Sequence, residues 1–209
     1  MFIHCRDWSS IDLYKILIGS IVPRPIAWVS TRNTSGINNL APFSFFNCFG
    51  ADPPMVGFAP AFKSIEKTSG GIVRVPKDTL QNVRDTGEFV VNLVGRDLAE
   101  KMNATSAEFA PEVSEFDAVG IATAPSQLVA PPRVADALVN FECKLIQVVE
   151  HGNNNLVLGE IVGIRLDERV LNDRGHIRAD VLQAVGRMAG SWYTTTNDRF
   201  ELKRPNLES

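Results

Sequence analysis

The sequence predicts a mainly β fold: a closed or nearly closed antiparallel barrel with short helices and a C-terminal extension. Two observations carry this. Segments rich in β-branched and aromatic residues recur along most of the chain, separated by Gly, Pro, Asn and Asp. Between them only short stretches suit a helix, which speaks against long helices alternating with parallel strands. The 209 residues, 44% of them hydrophobic, suffice for one sizeable core or a barrel with an appendage.

Pro23-Arg24-Pro25 blocks a helix, and residues 26–31 (IAWVST) are β-formers, so a strand starts there. Residues 33–36 read as a turn. Residues 40–49 are densely apolar and aromatic and predict one second strand. Asp52-Pro53-Pro54 interrupts it, and residues 55–59 resume as a third. Asp78 or Thr79 suits the N-cap of a helix over 80–85. After Gly87 a strand spans 88–94, and a second helix is expected over 101–108. Two long strands, 138–150 and 156–166, flank His151-Gly152-Asn153-Asn154-Asn155, which has hairpin chemistry. The chain turns more polar from Asp167. A single domain over 1–209 is expected, with the barrel at about 14–166, the extension at about 167–209, and a tail or partner-reaching arm from Asn197.

Composition excludes several functions. A net charge of −3 gives no general pull on nucleic acid. No apolar run approaches the ~20 residues that cross a membrane, and Met1 to Ser10 lack the order of a secretion signal. A cytoplasmic setting is therefore expected. Cys5, Cys48 and Cys143 form no CxxC pair, and with His4, His151 and His176 the only histidines, no disulfide framework and no metal site are expected. Dinucleotide-fold, Walker, GxSxG and HExxH motifs are absent, and Gly70-Gly71 is a lone pair.

Four segments remain as candidates for chemistry. Asn38-Asn39-Leu40-Ala41-Pro42-Phe43-Ser44-Phe45-Phe46-Asn47 mixes small polar groups with aromatics. It suits a wall for a flat heteroaromatic ligand, or a core strand with edge amides. Lys77-Asp78-Thr79-Leu80-Gln81-Asn82 joins a cation and a hydroxyl to a helix start. It suits a phosphate, or an ordinary capped helix. Arg24 leaves a rigid base between two prolines, for a phosphate, a ring carbonyl or the surface. Arg187, Trp192 and Tyr193 either contact a substrate or partner or pin the extension to the barrel.

In order and spacing, several segments resemble the flavin reductase-like family of FMN-binding split-barrel proteins. They are 23–31 (PRPIAWVST), 39–47 (NLAPFSFFN), Asp52-Pro53-Pro54, 77–82 (KDTLQN), 88–92 (EFVVN), 102–106 (MNATS), Pro132-Arg133-Val134, Phe141-Glu142-Cys143 and 159–162 (GEIV). The resemblance implies a six-stranded Greek-key split barrel and a homodimer with FMN near its interface. It lays Ala41, Pro42, Phe43, Ser44, Phe46 and Asn47 along the flavin ring, with Asn39 beginning that segment. It sets Lys77, Asp78, Thr79 and Asn82 at the phosphate, Phe58 and Ala59 on the strand closing the pocket, and Arg24 beside the flavin. The implied chemistry is hydride transfer from NADH or NADPH to flavin N5, with backbone donors stabilising charge at the N1–C2=O edge.

Two departures bear on activity. Asn154 stands where many family members that reduce free flavin carry a histidine, and His151 lies three residues earlier. Both are candidates for the nicotinamide or substrate side. The chain is also longer than the compact flavin reductases. Three readings follow: an NAD(P)H-dependent flavin reductase, with a separate flavin-dependent monooxygenase as a possible partner; an FMN-retaining reductase of a nitroaromatic or quinone; and an FMN electron carrier without turnover.

Overall fold

The computed structural model describes residues 1–68 and 71–205. Gly70 of the Gly70-Gly71 pair and the end of the C-terminal tail lie outside the described residues. In chain order the elements are α1 (Ser10–Ser20), β1 (Arg24–Pro25), β2 (Ala27–Arg32), β3 (Asn38–Phe43), β4 (Phe46–Ala51), β5 (Pro54–Phe58), β6 (Ser64–Thr68) and β7 (Gly71–Val75). Then come α2 (Asp78–Thr86), β8 (Glu88–Leu93), α3 (Ala99–Ala104), α4 (Glu115–Val119), β9 (Thr123–Ala124) and β10 (Arg133–Val134). The chain ends with β11 (Val139–His151), β12 (Asn154–Leu166), α5 (Ala179–Leu182), β13 (Val185–Arg187) and β14 (Tyr193–Thr195).

The main sheet has the strand order β3-β2-β8-β11-β12-β5-β4, antiparallel throughout. Its two edge strands, β3 and β4, are separated in sequence only by Ser44 and Phe45. One bent segment therefore closes the sheet into a barrel. Its first half pairs with β2 and its second half with β5. The Ala59 N–H donates to the Phe45 carbonyl at 2.8 Å across the bend. Counting the bent segment once gives the six staves of the expected barrel. The single strand expected over 40–49 is thus corrected to two, because one straight strand cannot pair with both β2 and β5.

The barrel is split where the long β11–β12 hairpin outruns its neighbours. β11 pairs with β8 only over residues 140–144, and β12 with β5 only over 157–160. Register shifts at Glu142/Cys143 and Leu145/Gln147 bend the hairpin as it leaves the barrel.

Side-chain alternation along β2 divides the core. Ala27 and Val29 point into the barrel with Phe43, Val56, Phe58, Phe89, Val91 and Val157, and Leu80 and Val83 of α2 plug one end. Trp28 points the other way, into a second cluster with Met102, Phe116 and Val134 from the layer outside the barrel. Its indole N–H donates to Thr105 Oγ1 at 2.9 Å. Gly159 admits the Phe89 ring: a Cβ there would lie 2.3 Å from Phe89 Cζ.

Three elements differ from expectation. α1 begins at a Ser9 cap whose side chain accepts from the Asp12 N–H, a Ser-x-x-Asp signature the residue pattern carried. The hairpin of β6 and β7 follows the third strand. α3 ends at Ala104, short of the expected helix over 101–108, because the Thr105 and Ser106 hydroxyls donate back to the Met102 and Asn103 carbonyls at 2.8 and 2.6 Å. In the extension, β13 pairs with both β1 and β14, tying the end of the chain to its start. No described helix is long and apolar enough to cross a membrane.

Candidate functional site

An open cleft with a cavity volume of about 130 Å3 lies between β3, the first turn of α2 and the segment after α3. Its flat wall is Ala41, Pro42 and Phe43. Its polar end is Lys77, Asp78 and Thr79, with Lys63 nearby. Thr105 to Phe109 and Glu115 complete the lining.

A hydrogen-bond network fixes the wall to the polar end. Asn39 Nδ2 donates to Glu115 Oε1 at 2.8 Å, and Thr79 Oγ1 donates to Asn39 Oδ1 at 2.8 Å. Behind them Thr31 Oγ1 donates to Asn39 Oδ1 at 3.3 Å and accepts from Asn82 Nδ2 at 3.0 Å. Glu115 also accepts from the Leu40 N–H at 2.8 Å. Only 5% of Glu115 is exposed. Burial, with the nearby Asp78 carboxylate, pushes the Glu115 carboxyl above its usual range, while its bonds from Leu40 and Asn39 oppose the shift.

The start of α2 corrects the expected cap. The N-cap is Lys77, and no side chain caps the helix. Asp78 lines the cleft, and the Thr79 hydroxyl is spent on Asn39. Among the described residues nothing accepts from the first-turn amides of 78–80, which suit a ligand or water. Lys77 Nζ sits 6.0 Å from the centroid of the Phe43 ring, between the wall and that helix end. A planar apolar wall meeting an uncapped, lysine-flanked helix N-terminus suits a flat ring that carries a phosphate.

The cleft thus gathers Asn39, Ala41, Pro42, Phe43, Lys77, Asp78 and Thr79, with Asn82 buried behind them. It does not gather the rest. Arg24 is 5% exposed and its guanidinium is committed elsewhere. It donates to the Ile18 and Ile21 carbonyls at 2.6 and 2.9 Å, to the Met188 carbonyl at 3.3 Å and to Ser44 Oγ at 3.3 Å. It joins α1, the barrel bend and the extension. Arg24→Met is expected to cost about 2–3 kcal/mol in urea unfolding, by leaving carbonyls unpaired. Affinity for a ligand of the cleft should stay within about twofold of wild type, since four of the five Arg24 N–H donors are spent away from it.

Phe58 is wholly buried inside the barrel, its ring 5.2 Å from Phe43 and 5.4 Å from Phe89. Phe46 packs against the same core, and the exposed Asn47 accepts from the Cys48 N–H at 2.8 Å. Ala59 contributes its N–H to the bend. His151 and Asn154 face each other across the β11–β12 hairpin, both exposed. Arg187 stacks 4.4 Å over the Tyr193 ring, and the Tyr193 hydroxyl bonds Asn103 Oδ1 at 3.0 Å. Tyr193 thus ties the extension to α3, with Arg187 packed on its ring. Trp192 is 77% exposed.

Sequence reasoning missed Glu115 and Lys63. A lone acid between Ser114 and Phe116 carries no motif, and its partners Asn39 and Leu40 lie more than seventy positions away (|i−j| 76 and 75).

The chain matches the flavin reductase like domain over residues 18–180. An uncharacterized protein of Aquifex aeolicus is 38% identical over 198 residues, 95% of this chain and 97% of its own. The 2-nitrobenzoate 2-nitroreductase NbaA of Pseudomonas fluorescens superposes with a TM-score of 0.85 at 34% identity, over 100% of this chain and 99% of its own. Nitrilotriacetate monooxygenase component B of Bacillus cereus superposes with a TM-score of 0.87 at 30% identity, over 97% of this chain and 98% of its own. The barrel closed by a bent strand and this match over most of the chain lead to one conclusion: the protein belongs to the flavin reductase-like family, with its split-barrel fold.

Proposed function

We propose that the protein binds FMN in this cleft and is an NAD(P)H-dependent FMN oxidoreductase, passing electrons on to free flavin. The observation that carries this is the meeting of the Ala41 to Phe43 wall with the uncapped N-terminus of α2 in one cleft. Bound FMN supplies a ring that accepts hydride. The chain's own part is position and environment. Phe43 and Pro42 exclude water from one side of the ring, and Lys77 and the α2 amides hold the phosphate. The likeness to a monooxygenase component B supports a role supplying a separate flavin-dependent monooxygenase.

A second reading is favoured by the likeness to a 2-nitrobenzoate nitroreductase. In it the protein retains FMN and reduces a nitroaromatic or quinone directly. One experiment separates the readings. The purified protein should show flavin absorbance, and anaerobic NADH or NADPH should bleach it. Steady turnover with added free FMN supports the first reading; turnover with 2-nitrobenzoate and no added flavin supports the second. Bleaching without turnover leaves an electron carrier, and no bleaching by either nicotinamide rules out both enzymes.

We also propose a homodimer and read the chain as one domain, the extension included. α1 buries none of its residues, Ile11, Tyr14, Leu17 and Ile21 are exposed, and the Tyr14 ring lies 6.2 Å from that of the exposed Phe45. A second copy is the occupant this apolar surface suits. Leu17→Glu is expected to shift the protein from dimer to monomer in light scattering, and an unchanged mass would count against this face.

A further inference from the structure

β3 pairs with β2 along one edge only, and its other edge borders the cleft. Successive residues of an antiparallel strand direct their N–H and C=O to alternate edges. Asn39, Ala41 and Phe43 face Thr31, Val29 and Ala27 of β2, and the Leu40 N–H points away from β2, toward Glu115. Between Asn39 and Phe43 the outward positions are therefore Leu40 and Pro42. Pro42 has no N–H. The single outward donor of the wall is the Leu40 N–H, and Glu115 takes it at 2.8 Å. The other carboxylate oxygen takes Asn39 Nδ2 at 2.8 Å, and Asn39 in turn accepts from Thr79 on α2.

We propose that Glu115 is the positioning residue of the ring wall. By binding Leu40 and Asn39 together it links β3, through Asn39 and Thr79, to the first turn of α2, and it takes up the one outward donor, so that the Pro42 carbonyl is the outward backbone group left on the cleft side. A ring docking there is then met by an acceptor at Pro42 and no competing donor, which selects a ligand with an N–H at that position. This rests on the reading of the cleft as a flavin site. A glutamine cannot do the same work, because one of its two terminal atoms is itself a donor and would oppose one of the two donors.

The test compares wild type with Glu115→Gln, using FMN and riboflavin as probes. Fluorescence quenching gives the two affinities, and hydrogen exchange reports on residues 38–43. The expected result is binding about tenfold weaker for both flavins, with their ratio unchanged, and faster exchange at the Leu40 amide. Affinity and exchange like wild type would overturn the proposal. So would a change confined to FMN, which would make Glu115 a charge acting on the phosphate. If Glu115→Gln does not fold, Glu115→Asp keeps two acceptors at shorter reach and is expected to give a partial loss in the same assays; full wild-type behaviour there would overturn the proposal. If wild type binds neither flavin, the flavin reading fails, while the exchange measurement still decides whether Glu115 holds β3.

Discussion

Phe58→Ala is expected to lower folding stability by about 3–5 kcal/mol, the largest single effect foreseen for this chain. The ring is fully buried between Phe43 and Phe89, at 5.2 and 5.4 Å, on the strand that meets the bend closing the barrel. Removing it deletes apolar burial together with one tilted and one edge-on aromatic contact. The cavity cannot collapse easily, because Phe89 is already pressed against the Gly159 backbone. Denaturant unfolding followed by tryptophan fluorescence measures this, with Trp28 buried in the adjoining cluster as reporter. The family resemblance set Phe58 on the strand closing the pocket, and its side chain is buried in the barrel core. Fully folded Phe58→Ala protein should accordingly bind flavin within a few-fold of wild type. A loss below about 1 kcal/mol would mean that the core repacks far more freely than this geometry allows.

The fold was legible where local chemistry speaks. Pro23 and Pro25, the break at Asp52-Pro53-Pro54 and the asparagine-rich hairpin after His151 mark their elements without help from the rest of the chain. The bend at Ser44-Phe45 was not legible, since nothing in that mix of aromatic and small polar residues says that its halves take different partners. The site divides the same way. The wall and the α2 turn lie in two contiguous segments and were read from residue types. Arg24 looked like a free cation, because the carbonyls that occupy it belong to α1 and to a loop 164 residues away. Glu115 escaped for the converse reason, as its meaning is supplied by a strand edge distant in sequence.

Lys77→Glu is expected to weaken FMN binding by about 30-fold or more while leaving riboflavin within about twofold, since charge-assisted bonds to a phosphate are worth about 1.5–3 kcal/mol. The variant is chosen so that its fold is not the thing tested. Lys77 caps α2 through its backbone, with φ −68° and ψ 153°, and makes no side-chain cap bond. A carboxylate at a helix N-terminus favours the macrodipole, so α2 should be no weaker. The same carboxylate repels a phosphate docking on the first-turn amides, and the difference between FMN and riboflavin isolates that term. It should shrink as salt rises, because the cleft is open to solvent. Equal losses for both flavins would move the role of Lys77 from the phosphate to the ring, through its position 6.0 Å over Phe43. No loss for either would shift the phosphate toward Lys63, the other cation lining the cleft, and Lys63→Glu would then carry the FMN-specific effect.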